Sequence, residues 1–365
     1  MNIVVLMGGT SAEREISLRT GSGIARALRA RGHEVTAIDA ANGAVLPPGT
    51  ETQVAALPPA AGTLAPASRK NTSILGSAPL RNAELVFIAL HGGAGEDGTI
   101  QALLDLAGKT YTGSGMLASA MAMDKAVSKR IFEHAGIPTP AWRLYRRREG
   151  KAPDAEAVQA VGGYPVVVKP NDEGSTFGLT IVHEPAALAP AYAEALRYSD
   201  QVLLEAFIPG RELTVAVLGE QVLPVVEIRP QSGLYDFESK YTAGKSEYFC
   251  PADLPDAKTH EVQELSLRAC RALDTQGVAR VDFRLAPDGT PYCLELNTIP
   301  GMTPTSLVPM AAKAVGMSFE DLCESIAALA LAAHGIDVGG TSRDVRPSND
   351  PVGAESPVPH PGEPA

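Results

Sequence analysis

A chain of 365 residues exceeds one ordinary domain, and its 45% apolar content suits a soluble globular protein of two or three domains. A net charge of -11 with no long basic run argues against a nucleic-acid partner, and no apolar run approaches the roughly 18 residues of a membrane span. The cysteines Cys250, Cys270, Cys293 and Cys323 are scattered without a Cys-x-x-Cys, which argues against a zinc site or disulfide framework and fits a reducing cytoplasm.

Residues 3–7 read as a buried strand, with no basic stretch before them to suggest a leader peptide. Gly8-Gly9-Thr10-Ser11 is a turn. A helix follows from Glu13 to about Arg31, with Ile16, Leu18, Ile24, Ala27 and Leu28 on its inner side. With a second strand at 34–39 this is a βαβ unit, and it implies a parallel sheet. From Asn42 to Asn82 the chain turns to Ala, Pro, Gly, Ser and Thr and reads as a partly ordered surface insertion. Residues 84–90 resume the sheet, with His91-Gly92 through Asp97-Gly98 at its carboxyl end, where open α/β sheets bind ligands.

Helical spacing predicts one helix from Ser119 to Ala135, ended by Gly136-Ile137-Pro138. A second domain follows, with strands at 164–170, 201–205 and 212–218 and a glycine-bearing loop from Asn171 to Gly178. Apolar spacing marks a last helix from Phe319 to Ala333. The Gly-, Pro- and Ser-rich residues 338–365 read as a disordered tail.

The densest chemistry lies in Arg280-Val281-Asp282-Phe283-Arg284-Leu285 and Tyr292-Cys293-Leu294-Glu295-Leu296-Asn297, two alternating runs about Asp288-Gly289. Such a pair reads as a hairpin. With that tip, Asp282 faces Glu295 and Arg280 faces Asn297 on one side. Val281, Phe283, Leu285, Tyr292, Leu294 and Leu296 line the other. Opposed carboxylates repel across a strand pair. A hard divalent cation would relieve that, and Asp, Glu and Asn oxygens suit magnesium rather than zinc. The plainer reading is a solvated face on which Arg280 and Arg284 pair the acids.

Lys169, at the end of an apolar strand, reads as a strand-end lysine or as a phosphate ligand. The loop that follows favours phosphate, because Gly174 and Gly178 admit backbone amides while Ser175 and Thr176 offer hydroxyls. The spacing is not that of a P-loop. On sequence alone Lys125 is an ordinary helix-face lysine. Gly8-Gly9-x-x-x-Glu13 lacks the third glycine of a dinucleotide fingerprint, which disfavours a dehydrogenase. Glu13 itself is either a helix-dipole carboxylate or a ligand for a substrate ammonium.

Taken together, Met7 through Glu15, His91 through Gly98, Lys169 through Gly178, and Arg280-x-Asp282 with Glu295-x-Asn297-Thr298-x-Pro300-Gly301-Met302-Thr303 resemble the signature segments of the D-alanine–D-alanine ligases, a family of the ATP-grasp superfamily. The resemblance runs over about residues 1–335. It implies an N-terminal doubly wound parallel-sheet α/β domain followed by a two-part α+β ATP-grasp fold. The corresponding segments are 1–124 (with the insertion at about 42–82), 125–211 and 212–337, leaving 338–365 as the tail.

Residue by residue, the resemblance implies that Lys125 and Lys169 contact ATP phosphates. Glu205, with the backbone near Phe207 and Ile208, would hold adenine, and Glu212 the ribose. Asp282, Glu295 and Asn297 would bind two magnesium or manganese ions. Glu13, His91 and Ser175 would surround the first D-alanine, and Ser306 and Leu307 the carboxylate of the second. Arg280 and the Gly301 amide would form an oxyanion hole, and Lys240 and Tyr241 would close over the site. Ala206 stands where relatives commonly carry lysine. The implied activity is ATP-dependent formation of D-alanyl-D-alanine for peptidoglycan, in a cytoplasmic homodimer. Rivals are a D-alanine–D-lactate ligase, which the retained Lys240-Tyr241 disfavours, and a non-catalytic nucleotide-binding relative, which the filled ligand positions disfavour.

Overall fold

The structure, a computed structural model, describes residues 1–49, 77–230 and 245–336. The predicted tail, and Lys240 and Tyr241, lie outside the described residues. The first sheet has the order β3-β2-β1-β4, with β1 (Asn2–Met7), β2 (Glu34–Asp39) and β4 (Leu85–Ile88) parallel. Ile3, Val5 and Met7 enter one apolar cluster while Val4 and Leu6 enter another. Burial on both faces is what parallel strands require, and it explains the unbroken apolar run. Helix α1 (Arg14–Ala30) covers the first face together with the C-terminal helix α10 (Phe319–Ala333), which coincides with the predicted last helix.

The stretch read as an insertion is partly regular. Strand β3 (Ala44–Leu46) adds antiparallel to β2, and helix α2 (Ala78–Asn82) starts at a Ser77 cap; residues 50–76 lie outside the described residues. The single helix expected at 119–135 is two. Helix α4 (Met116–Met123) stops at Asp124, whose carboxylate caps the Val127 amide at 2.9 Å and starts α5 (Lys125–His134). An Asp inside an apolar helical pattern is easily passed over, although it is one of the best N-caps. Phe132 of α5 packs with Leu213, Val215 and Phe283, so this helix joins the core of the third sheet.

The second sheet runs β5-β8-β6-β7, formed by β5 (Trp142–Arg146), β6 (Val166–Pro170), β7 (Thr180–Val182) and β8 (Gln201–Ala206). The third is antiparallel, β12-β11-β9-β13-β14, with β10 (Gln221–Val222) on β9. Its strands are β9 (Arg211–Leu218), β11 (Val226–Pro230), β12 (Ser246–Phe249), β13 (Val278–Leu285) and β14 (Pro291–Asn297).

The hairpin register departs from the uniform pairing expected. Asp282 does face Glu295 and Arg280 faces Asn297, but a bulge after Asp282 then pairs Phe283 with Cys293 and Arg284 with Tyr292. The turn is correspondingly wider, with Ala286 donating to the Thr290 carbonyl at 2.9 Å. Because one slipped residue reverses every side chain beyond it, Cys293 enters the core in place of Tyr292 and Leu294.

No helix among the described residues is long and apolar enough to cross a membrane. Gly210 joins β8 to β9 at φ +123°, and a Cβ there would lie 2.1 Å from the Leu285 carbonyl oxygen. Gly210→Ala should therefore cost about 2 kcal/mol or more, seen as a lowered melting temperature. An unchanged melting temperature would show that the β8–β9 connection is slack.

Candidate active site

Two clefts adjoin between the three sheets. One, of about 1010 Å³, is lined by Lys169, Glu205, Phe207, Ile208, Glu212, Asp282 and Arg284 among others. The other, of about 920 Å³, is lined by Glu13, His91, Glu96, Arg280, Asn297, Gly301, Ser306 and Leu307 among others. Lys125, Gly174, Ser175 and Glu295 line both and form the wall between them. Every site residue expected from the sequence, Lys240 and Tyr241 aside, lines one cleft or both.

The first cleft has a basic floor. Lys169 ends β6 with its ammonium 3.1 Å from Glu205 Oε1, and Lys129 of α5 sits 2.6 Å from Glu205 Oε2. Burial works to raise the Glu205 carboxyl, but the two ammoniums outweigh it and hold it below the usual range. Sequence reasoning missed Lys129, which looks like any helical lysine until the tertiary packing seals it. It read Arg284 as pairing the acids of the hairpin face; instead Arg284 donates to the Ile208 carbonyl at 3.1 Å and to Glu212 at 3.2 Å and lies over the Phe207 ring. Leu294 is a third departure. The bulge that removes it from the core turns it into this cleft.

On the site face of the third sheet, Thr214, Asp282 and Glu295 form one row. Arg280 grips Asp282 through two hydrogen bonds of 2.9 and 2.8 Å, and Thr214 donates to the same carboxylate at 2.6 Å. Lys125 lies 3.4 Å from Glu295 and donates to the Glu173 carbonyl at 2.7 Å. The arginine pairing foreseen in the plainer reading thus exists, yet it leaves the two opposed acids on a cleft wall rather than on an open face. The oxygens of Asp282, Glu295 and Asn297 fit a hard divalent cation by their chemistry and shared face. Among the described residues no cluster of three His, Cys, Asp or Glu side chains forms a metal cage. A cation here would therefore rely on other ligands as well, as magnesium does with waters and phosphates.

The loop after β6 carries Ser175 and Thr176 at φ 49° and 64°, left-handed values that cost a non-glycine residue about 1–2 kcal/mol each. The loop is pinned at its far end, where the Phe177 ring stacks on Tyr198. At its near end Ser175 donates to Glu13, the buried carboxylate at the start of α1. Gly92 at φ +69° leaves room for that carboxylate, since a Cβ would sit 2.9 Å from Glu13 Oε2. His91 contacts Thr20 at 3.1 Å and Glu96 at 3.4 Å, an acid the sequence reading did not single out. On the opposite side, Ser306 is the N-cap residue of α9 (Leu307–Ala314) but makes no side-chain cap hydrogen bond. Its hydroxyl instead accepts from the Thr303 amide at 3.0 Å, which leaves the helix N-terminus facing the cleft, a place suited to a carboxylate.

Acids crowd this wall. Burial, helped by Asp172, Glu13 and Glu96 and opposed by Lys125, pushes the Glu173 carboxyl up to about 7. A carboxyl raised in the folded state binds more protons there than when unfolded, so stability falls as pH climbs from about 4.5 to about 7. Glu173→Gln should match the parent near pH 5 and exceed it at pH 8, by on the order of 1 kcal/mol after solvent screening. Denaturant unfolding at the two pH values checks this, and a pH-independent difference would contradict it.

The chain matches two family models in tandem, described as D-ala D-ala ligase N-terminus over residues 2–114 and D-ala D-ala ligase C-terminus over residues 131–328. It is 47% identical over 329 residues to the D-alanine–D-alanine ligase of Syntrophotalea carbinolica, covering 89% of this chain and 95% of that protein. It is 46% identical over 336 residues to that of Halalkalibacterium halodurans, covering 91% and 99%. Among solved structures it resembles the Bacillus anthracis D-alanine–D-alanine ligase complexed with ATP. There the TM-score is 0.73 at 29% identity, over 91% of this chain and 98% of that one.

Proposed function

The chain belongs to the D-alanine–D-alanine ligase family, and on that premise we propose how its residues divide the work. The reaction is ATP-dependent joining of two D-alanine molecules, with ADP and phosphate released, and it supplies peptidoglycan synthesis. ATP is the co-substrate, in line with the ATP complex of the similar Bacillus anthracis ligase, and we propose magnesium as its metal partner. The observation that carries the assignment of roles is the shared wall of Lys125, Gly174, Ser175 and Glu295, which lets a nucleotide in one cleft meet an amino acid in the other.

In the first cleft adenine lies against Phe207 and Ile208 with Glu205 beside it, Glu212 takes the ribose, and Lys169 and Lys125 reach the phosphates. Asp282, Glu295 and Asn297 would hold magnesium, whose contribution is to neutralise charge on the reacting phosphates. In the second cleft Glu13, with Ser175 and His91, holds the ammonium of the first D-alanine and so directs its carboxylate at the shared wall. That carboxylate attacks the γ-phosphorus and gives a D-alanyl phosphate. The second D-alanine sets its carboxylate at the N-terminus of α9, by Ser306 and Leu307, and its amine attacks the acyl carbon. Arg280 and the Gly301 amide face the oxygen on which charge then develops. From the family resemblance alone, Lys240 and Tyr241 are assigned the role of keeping water from the acyl phosphate.

We place the reaction in the cytoplasm, supported by the four free cysteines, three of them buried. We also propose a homodimer, and exposed Leu106 and Leu117 support it by giving the first domain apolar surface to cover.

D-alanine, ATP and magnesium at pH 7 should yield D-alanyl-D-alanine with one phosphate per dipeptide. With equimolar D-lactate added, the dipeptide should remain the main product; a mainly depsipeptide product would overturn the substrate assignment. Removing one preorganised donor typically costs on the order of 10²–10³ in rate. Arg280→Ala should lower kcat by about that much with little change in KM for ATP. Equal losses in both would make Arg280 only the partner of Asp282.

A further inference from the structure

Lys129 is a fully buried lysine, 0% exposed, and the roles proposed above do not use it. Its ammonium contacts Glu205 at 2.6 Å and donates to the Thr139 hydroxyl at 2.7 Å, which in turn donates to the Cys293 carbonyl of β14 at 2.8 Å. Glu205 therefore has two cations of different standing. Lys169 is farther, at 3.1 Å, and lines the nucleotide cleft; Lys129 is closer, sealed behind the carboxylate and held between α5 and β14. A buried carboxylate left with no cation is strongly unfavourable. If Glu205 had Lys169 alone, every move of Lys169 toward a phosphate would strand that charge.

We infer that Lys129 is a positioning residue, the permanent counter-ion of Glu205 that frees Lys169 to leave the carboxylate and bind nucleotide phosphate. This rests on the reading that Lys169 contacts phosphate. Lys129 touches neither nucleotide nor amino acid. It sets the strength of the phosphate contact by making Lys169 dispensable to Glu205. The general requirement is that a mobile phosphate-binding lysine which rests on a buried acid needs a second, immobile cation.

The test compares binding of ADP and of adenosine, with magnesium, to the full chain and its variants. The ratio of their dissociation constants isolates what the phosphates contribute. Lys129→Met should leave adenosine binding within about threefold of the parent. It should reduce the phosphate contribution about tenfold or more, the worth of one hydrogen bond to a charged group, because Lys169 is then retained by Glu205. Lys169→Met should show the same loss. If it does not, the phosphate role of Lys169 is wrong. If Lys169→Met shows the loss and Lys129→Met does not, the present inference is wrong. Equal weakening of ADP and adenosine in Lys129→Met would also overturn it, as the mark of a merely structural lysine. The double variant Lys129→Met/Glu205→Gln removes the buried carboxylate and leaves Lys169, which lines the nucleotide cleft, as the one charge of the trio, so it remains informative should the single variant fold poorly. It releases Lys169 and should restore the ratio to within about threefold of the parent; a ratio as low as that of Lys169→Met would refute the inference.

Discussion

The pairing of Asp282 with Glu295 across β13 and β14 is the constraint around which the site is arranged. Two carboxylates held opposite one another repel, and the sheet gains nothing from them as structure. The surroundings answer with cations: Arg280 clamps Asp282 through two hydrogen bonds, and Lys125 stands beside Glu295. These are also the groups to which we assign contacts with the transferring phosphoryl group and the developing oxyanion. On that proposal, the acids are balanced by the same cations that the substrates would share.

A second balance lies one layer deeper. Glu205 is almost completely buried between Lys129 and Lys169, and the network reaches β14 through Thr139. Adenine-side and phosphate-side groups are therefore not independent. On the other side, the Ser175–Glu13 hydrogen bond ties the loop after β6 to the first helix, with strained backbone at Ser175 and Thr176 on the joining segment. That bond joins the start of the first sheet's helix to the loop of the second sheet. The same few atoms thus serve packing and, in the proposed role, the first D-alanine.

Much of this was legible in the sequence where the signal is local. Strict alternation located the site face of β13, and the unbroken apolar runs at β1 and β4 announced a sheet buried on both sides. The far half of the hairpin was readable because the register of Asp282 and Glu295 follows from spacing alone. The near half was not, since a bulge has no signature in an alternating run, and so Leu294 was placed in the core and Cys293 on the opposite face. Asp124 was read through as helix because the apolar period continues across it. Lys129 and Glu96 carry no local mark, and nothing local shows that Arg284 turns to Glu212 rather than to the hairpin acids. What distinguishes them is a partner between 5 and 76 residues away or complete burial, which only the tertiary structure supplies.

The central claim is that the two clefts meet so that the carboxylate of the first D-alanine itself attacks the terminal phosphate. The most direct measurement is to supply D-alanine carrying oxygen-18 in its carboxylate, with ATP and magnesium in ordinary water, and to weigh the phosphate released. An acyl phosphate formed at the shared wall keeps one carboxylate oxygen on the phosphorus when the amine displaces it. Each phosphate formed with a dipeptide should therefore carry one labelled oxygen. Dipeptide accompanied by unlabelled phosphate would mean that water, not the carboxylate, takes the phosphoryl group, and would contradict the account.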